Sequence, residues 1–246
     1  MADAIIRADN LTRKFGDFTA VDHISFEVQE GEIFGFLGAN GAGKTTAMRM
    51  LTGLLIPTSG DAEVAGFDVY SEHEQIKKQI GYMSQRFSLY EDLTVQENIR
   101  LYGGIYGLSN KEIRQKSGAL LETLGMQEMS KKKIGALPLG WKQKLAFSVA
   151  LLHNPKIVFL DEPTGGVDPI TRRQFWEQIY KVAEEGTTVF VTTHYMDEAE
   201  YCNRVSIMVD GRIDALGSPA GLKQRYRADS IEEVFVQLAR GAQRGD

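Results

Sequence analysis

The chain has 246 residues, 43% hydrophobic and 25% charged, with a net charge of −5 and a pI near 5.5. That is the composition of a soluble globular protein, long enough for one large domain or a core with one inserted subdomain, and it argues against a basic nucleic-acid footprint. The single cysteine, Cys202, excludes an internal disulfide, no apolar run approaches the ~20 residues that span a bilayer, and the acidic start Met1-Ala2-Asp3 does not read as a secretion signal. The expectation is a cytoplasmic protein whose link to any membrane runs through another chain.

Residues 4–31 read as two strands, with Ile24, Phe26 and Val28 alternating as on a half-buried strand. Phe15 lies between them, 29 residues before Lys44. An aromatic there can stack on a base or fill a core, and spacing alone leaves both open.

Glu32–Leu37 reads as a buried strand and Thr45–Leu55 as a helix. Between them, Gly38-Ala39-Asn40-Gly41-Ala42-Gly43-Lys44-Thr45 matches the full phosphate-loop pattern in the strand–loop–helix context it needs. Glycines let backbone N–H groups close on phosphate oxygens, and the helix start adds its positive dipole end. Lys44 can bridge the β- and γ-phosphates, the Thr45 hydroxyl can ligate Mg²⁺, and Thr46 can touch an inner phosphate.

Pro57-Thr58-Ser59-Gly60 is a turn, Ala62–Ala65 a short strand, Glu72–Gln79 a polar helix, and Ile80–Ser84 a strand ending at Gln85. Gln85 can ligate Mg²⁺ or hold an attacking water. Residues 94–155 show no strand signal and predict three helices: Thr94–Tyr106, one opened by the Ser109/Glu112 capping box and running to Leu124, and Gly140–His153. They read as a helical subdomain (94–155) inserted into a core made of 1–93 and 156–217, with 218–246 as a helical extension. Lys131-Lys132-Lys133 reads as a solvated loop.

Ile157–Leu160 reads as a strand buried on both faces, with Asp161 and Glu162 at its C-terminal end, where parallel-sheet active sites lie. Asp161 can hold the Mg²⁺ shell, and Glu162 can orient and deprotonate a water attacking the γ-phosphate. Asp168-Pro169 starts a helix that stops at Gly186, and Thr187–Thr193 is a strand ending at His194, within reach of a γ-phosphate. His23, His73 and His153 lack such neighbours. Asp210-Gly211 turns a hairpin, and Ser218-Pro219 and Ser230-x-x-Glu233 open terminal helices.

In this order the motifs make the chain resemble the ATP-binding subunit of an ABC transporter over nearly its whole length. The phosphate loop falls at Gly38–Thr46, the Q-loop at Gln85, the Walker B strand at Ile157–Glu162, the D-loop at Gly165–Asp168 and the H-loop at His194. Phe15 falls where the family keeps its adenine-stacking aromatic. Leu137-Pro138-Leu139-Gly140-Trp141-Lys142-Gln143 falls where the family has its signature segment, usually Leu-Ser-Gly-Gly-Gln. The stretches Leu89–Thr94 and Ser230–Phe235 look like the branch serving ABC-2 type and drug-efflux exporters.

The resemblance implies an α/β fold, with a RecA-like P-loop NTPase core, a small antiparallel β subdomain and the helical insert. It implies an ATPase using ATP and Mg²⁺, with ATP held between the phosphate loop of one subunit and Leu137, Pro138, Leu139 and Gly140 of a second. It implies an integral-membrane permease as partner, on whose cytoplasmic face the chain would sit, reached near Gln85–Glu91 with Phe87 and Tyr90 as candidate contacts. No nucleic-acid partner is expected.

One departure stands out. The signature serine is Pro138, which has neither hydroxyl nor N–H, and one hydrogen bond to a charged group is worth about 1.5–3 kcal/mol. Either the chain hydrolyses ATP despite Pro138 or it pairs with a subunit carrying a serine. A small-molecule kinase would need an acceptor site and an arginine-bearing lid. A soluble ABC ATPase acting on ribosomes or DNA usually carries two cassettes or a coiled insertion. A pure nucleotide sensor is at odds with Glu162.

Overall fold

The computed structural model describes residues 4–85 and 89–242. The chain opens with β1 (Ala4–Phe15), β2 (Phe18–Gln29) and β3 (Ile33–Gly38), followed by α1 (Lys44–Leu51), β4 (Ser59–Val64) and β5 (Phe67–Asp68). It continues through α2 (His73–Gln79), β6 (Ile80–Met83), α3 (Val95–Ile105), α4 (Asn110–Leu124), α5 (Leu139–Ala150) and β7 (Ile157–Asp161). The last third holds α6 (Pro169–Glu184), β8 (Thr188–Thr193), β9 (Arg204–Val209), β10 (Arg212–Gly217), α7 (Pro219–Tyr226) and α8 (Ile231–Ala242).

These strands form two sheets. One is antiparallel, in the order β2-β1-β4-β5; the other runs β10-β9-β3-β8-β7-β6 and is parallel except for β10. β3, β7 and β8 are buried along their whole length, as apolar runs covered on both faces must be. Their alternation divides the residues cleanly. Phe34, Phe36, Phe159 and Phe190 share the cluster with the antiparallel sheet; Phe34, Phe36 and Phe190 meet Phe26 of β2 and Phe159 meets Phe190, with ring centroids 5.3–6.2 Å apart. Ile33, Leu37, Val158, Leu160, Val189 and Val191 face the other way, into a cluster with Phe147 of α5 and Phe175 and Trp176 of α6.

Val95 and Ile99 of α3 and Leu145 of α5 belong to that same cluster, so the 94–155 segment shares the core of the sheet. Among the described residues its one β feature is the Thr94–Lys133 bridge. Capping boxes open both α3 (Thr94/Glu97) and α4 (Ser109/Glu112).

Three differences from the sequence expectation have local causes. α1 stops at Leu51 rather than Leu55, because Gly53 takes φ +68 and the Leu54 and Leu55 amides turn back to Arg49 O. β4 begins at Ser59, three residues early. There Gly60 lies against β1 so closely that a Cβ would sit 2.2 Å from Asn10 O. The two-residue β5 pairs Val64 with Phe67 and carries no sequence signal of its own.

Candidate functional site

Four adjacent parallel strands, β3, β8, β7 and β6, end on one edge of the sheet. Each delivers one predicted element there: the phosphate loop, His194, the Asp161–Glu162 pair and Gln85. Side chains far apart in sequence thus converge because the sheet order interleaves their strands.

The phosphate loop is built on two left-handed glycines, Gly41 (φ +85) and Gly43 (φ +102). A Cβ on Gly43 would lie 2.3 Å from Ala20 O, so only glycine fits. The Asp210-Gly211 hairpin turn packs beside the loop, where Gly211 N donates to Ala42 O and Asp22 N to Gly211 O. Lys44 is buried, with Nζ donating to Gly38 O at 2.8 Å and Ala39 O at 3.0 Å and lying 3.5 Å from Glu162 Oε1. Burial pulls its ammonium below the usual lysine value, against the charges of Glu162 and Asp161.

Asp161 Oδ1 accepts from Thr192 Oγ1 at 2.7 Å and from Thr45 Oγ1 at 3.2 Å. Burial raises its carboxyl above the usual range despite both bonds. Glu162 adopts φ +48, a costly conformation for a residue with a side chain. Its amide is fixed by the Thr192 carbonyl and hydroxyl, both at 3.1 Å. Gln85 Nε2 donates to Glu162 Oε2 at 2.9 Å, and His194 Nδ1 lies 3.0 Å from the same oxygen, off the hydrogen-bonding direction. The Glu162 carboxylate therefore stands between an ammonium, an amide and an imidazole.

Phe15, Asn40, Gly41, Gly43, Lys44, Thr45, Thr46, Gln85 and Glu162 line one cavity of about 350 Å³. Phe18 and Ala20 join them. Phe15 is 48% exposed, not core, and the Arg13 guanidinium sits 4.6 Å from its ring centroid. Ala42 is buried, and the Gly38 and Ala39 carbonyls hold Lys44.

Pro138, Leu139 and Gly140 lie with Asp168 in another cavity of about 490 Å³, and Leu139 also borders one lined by Gln85, Glu162 and His194. Leu137 is buried in the core, so its side chain is not part of that surface. Pro138 is the N-cap of α5, with φ −57 and no side-chain cap, and the amides of Leu139 and Gly140 have no acceptor within the helix. The Asp168 carboxylate accepts from the Thr171 hydroxyl and from the Ile170 and Thr171 amides, bonds that hold it below the usual range. Tyr90 is exposed; Phe87 lies outside the described residues.

Sequence reasoning missed Thr192, Phe18 and Ala20. Thr192 reads as an ordinary strand residue, and only the β7–β8 register, Asp161 opposite Thr192, reveals its role.

The ABC transporter family model matches residues 21–165. The chain belongs to that family. It is 47% identical over 241 residues to the probable multidrug ABC transporter ATP-binding protein of Escherichia coli K12, covering 96% of this chain and 42% of that protein. It is 37% identical to the linearmycin resistance ATP-binding protein of Bacillus subtilis 168, covering 94% of this chain and 75% of that protein. This chain thus spans less than half of the E. coli relative.

Among solved structures, the ATP-binding subunit of an ABC transporter superposes with a TM-score of 0.85 at 27% identity, over 95% of this chain and 99% of that one. A dimeric post-hydrolysis ATP-binding cassette bound to ADP and Pi gives 0.78 at 26% identity, over 87% and 98%. The fold is that of an ABC ATPase cassette, and the site carries the parts of an ATPase. The expected P-loop core, antiparallel sheet and family assignment agree with this.

Proposed function

We propose that this cassette binds ATP on the phosphate loop, hydrolyses it with Glu162 as the base for the attacking water, and works in two copies to power export through a membrane partner. The observation that carries the reading is the Glu162 carboxylate, 3.5 Å from Lys44 Nζ, hydrogen-bonded to Gln85 and 3.0 Å from His194 Nδ1. A base needs a fixed carboxylate facing the phosphate, and these neighbours fix it.

Lys44 and the backbone amides of Gly41–Thr46 bind the triphosphate, and Phe15 stacks the base. Thr45 and Asp161 offer hydroxyl and carboxylate oxygens, with the Gln85 amide nearby, the hard-donor set that suits Mg²⁺. Bound there, Mg²⁺ would neutralise phosphate charge. Gln85 orients the Glu162 carboxylate, His194 stands 3.0 Å from it, and in this reading His194 also contacts the γ-phosphate.

Pro138, Leu139, Gly140 and Asp168 share an open surface away from this chain's own phosphate loop, as residues that complete a second copy's site would. The dimeric cassette with ADP and Pi supports that reading.

Among the described residues no helix is long and apolar enough to cross a membrane. A cavity of about 610 Å³ beside α2 and the end of α3 is lined by Leu54, Tyr82, Ile105 and Tyr106 together with the charged Glu74, Lys77 and Lys78, and Leu54 and Ile105 are more than half exposed. We assign this groove, and the exposed Tyr90, to a permease, which would hold the cassette at the cytoplasmic face. The multidrug and linearmycin resistance relatives favour export.

Light scattering of Glu162→Gln with Mg-ATP tests the reading. A stable dimer formed by ATP but not ADP is expected; a monomer under both conditions would overturn the two-copy mechanism.

A further inference from the structure

Outside the nucleotide cavity lies a buried carboxylate that the scheme above leaves without a role. Glu198 is fully buried on the turn that follows His194. Its Oε1 accepts from Thr164 Oγ1 at 2.6 Å, and Thr164 is itself buried, two residues past Glu162 in the loop leading to Asp168. One side chain therefore joins the two loops that carry Glu162 and His194. A buried carboxylate is costly unless it is paired and hydrogen-bonded, and here the Thr164 bond and the nearby Arg172 supply that.

Arg172, in the first turn of α6, completes the arrangement. Its guanidinium carbon lies 4.1 Å from the Tyr195 ring centroid, its Nη1 3.5 Å from Asp197 Oδ2 and its Nε 3.7 Å from Glu198 Oε1. The Tyr195 ring lies 4.2 Å from the His194 ring, and His194 touches Glu162. A continuous run of contacts thus leads from α6, just past Asp168, through Arg172, Tyr195 and His194 to the hydrolytic carboxylate. Glu198 Oε2 and Arg172 Nε are both buried without a hydrogen-bond partner. A small shift of either loop changes the separation of these two groups.

We infer that Glu198 and Arg172 are positioning residues for hydrolysis: Glu198 ties the loop after Glu162 to the segment bearing His194, and Arg172 holds the ring that backs His194. This rests on the proposed roles of Glu162 and His194. Neither residue touches the nucleotide cavity, so both act on turnover and leave ATP binding alone.

The test uses the whole chain with Mg-ATP. Glu198→Leu, which has no acceptor for the Thr164 hydroxyl, and Thr164→Val should each lower kcat about tenfold with KM within about twofold, the size expected for coupled neighbours. Thr164→Ser, which keeps the hydroxyl, should restore turnover. In a His194→Ala background, Glu198→Leu should add no further loss. Arg172→Met should behave like Glu198→Leu.

Losses that multiply in the double variant, or Thr164→Ser as impaired as Thr164→Val, would overturn the inference. His194→Ala with unchanged turnover would instead overturn the underlying reading of the site. Amide hydrogen exchange then decides the tie without reference to activity. Glu198→Leu should speed exchange in both 162–168 and 194–201, and an effect confined to one segment would contradict it. Should Glu198→Leu fail to fold, Thr164→Val breaks the same bond from the other side.

Discussion

Gln85 Nε2 donates to Glu162 Oε2 at 2.9 Å, joining two residues that stand 77 apart in sequence. The bond exists because β6 and β7 are parallel neighbours, paired from Ile80–Ile157 to Met83–Leu160, so their C-terminal exits emerge side by side. Gln85→Ala should leave Kd for ATP within about twofold and lower kcat about tenfold or more, since a hydrogen bond to a charged group is worth about 1.5–3 kcal/mol. Single-turnover hydrolysis separates the two effects.

Asp161 is held in the folded chain at a cost. Its folded pKa is raised above 3.8, chiefly by burial. A raised pKa favours the folded state in acid, and that advantage is lost as pH rises through the folded value. At pH 7 the charged carboxylate therefore opposes folding. Asp161→Asn keeps an acceptor for Thr45 and Thr192 and removes the charge. It should stabilise the nucleotide-free chain by about 1 kcal/mol at pH 7, a few degrees in Tm. The gain should fade as pH falls through the raised folded value toward the ordinary aspartate range. Calorimetry across pH 4–8, chosen as roughly the span around these carboxylate values, measures it.

Two loop glycines should differ in what they tolerate. Gly41 and Gly43 both take positive φ, yet a Cβ on Gly41 meets nothing within 4 Å while one on Gly43 strikes Ala20 O. Gly41→Ala should cost about 1 kcal/mol of strain and Gly43→Ala more than about 3 kcal/mol. Urea unfolding of the nucleotide-free variants reads the difference.

Pro138→Ser has two separable effects. At the N-cap of α5 a serine can accept from an amide of the first turn, worth about 1 kcal/mol of stability. If the hydroxyl also reaches a second copy's nucleotide, ATP-driven dimerisation should tighten about tenfold or more. A higher Tm with unchanged dimerisation would restrict serine to capping.

Most of the site was legible because phosphate chemistry needs fixed residue types at short spacing, as in Gly38–Thr46, or at strand ends, as with Asp161-Glu162 and His194. Burial on both faces of β7 followed from four consecutive apolar residues. What stayed hidden depends on contacts between distant strands. Thr192 gains its role only by lying opposite Asp161, and Glu198 only by reaching Thr164 from 34 residues away. Phe18 joins the nucleotide cavity because it pairs with Phe15 across the Gly16-Asp17 turn. The end of α1 was misplaced because Leu51, Leu54 and Leu55 keep helical spacing while Gly53 breaks the backbone.

In the reading proposed above, this chain is a hydrolytic cassette completed by a second copy. The direct measurement is Mg-ATP turnover by the purified chain against its own concentration, with Glu162→Gln as the blank. Specific activity should rise with protein concentration and exceed the Glu162→Gln blank by about 10²-fold or more. A rate equal to the Glu162→Gln blank at every concentration would contradict it.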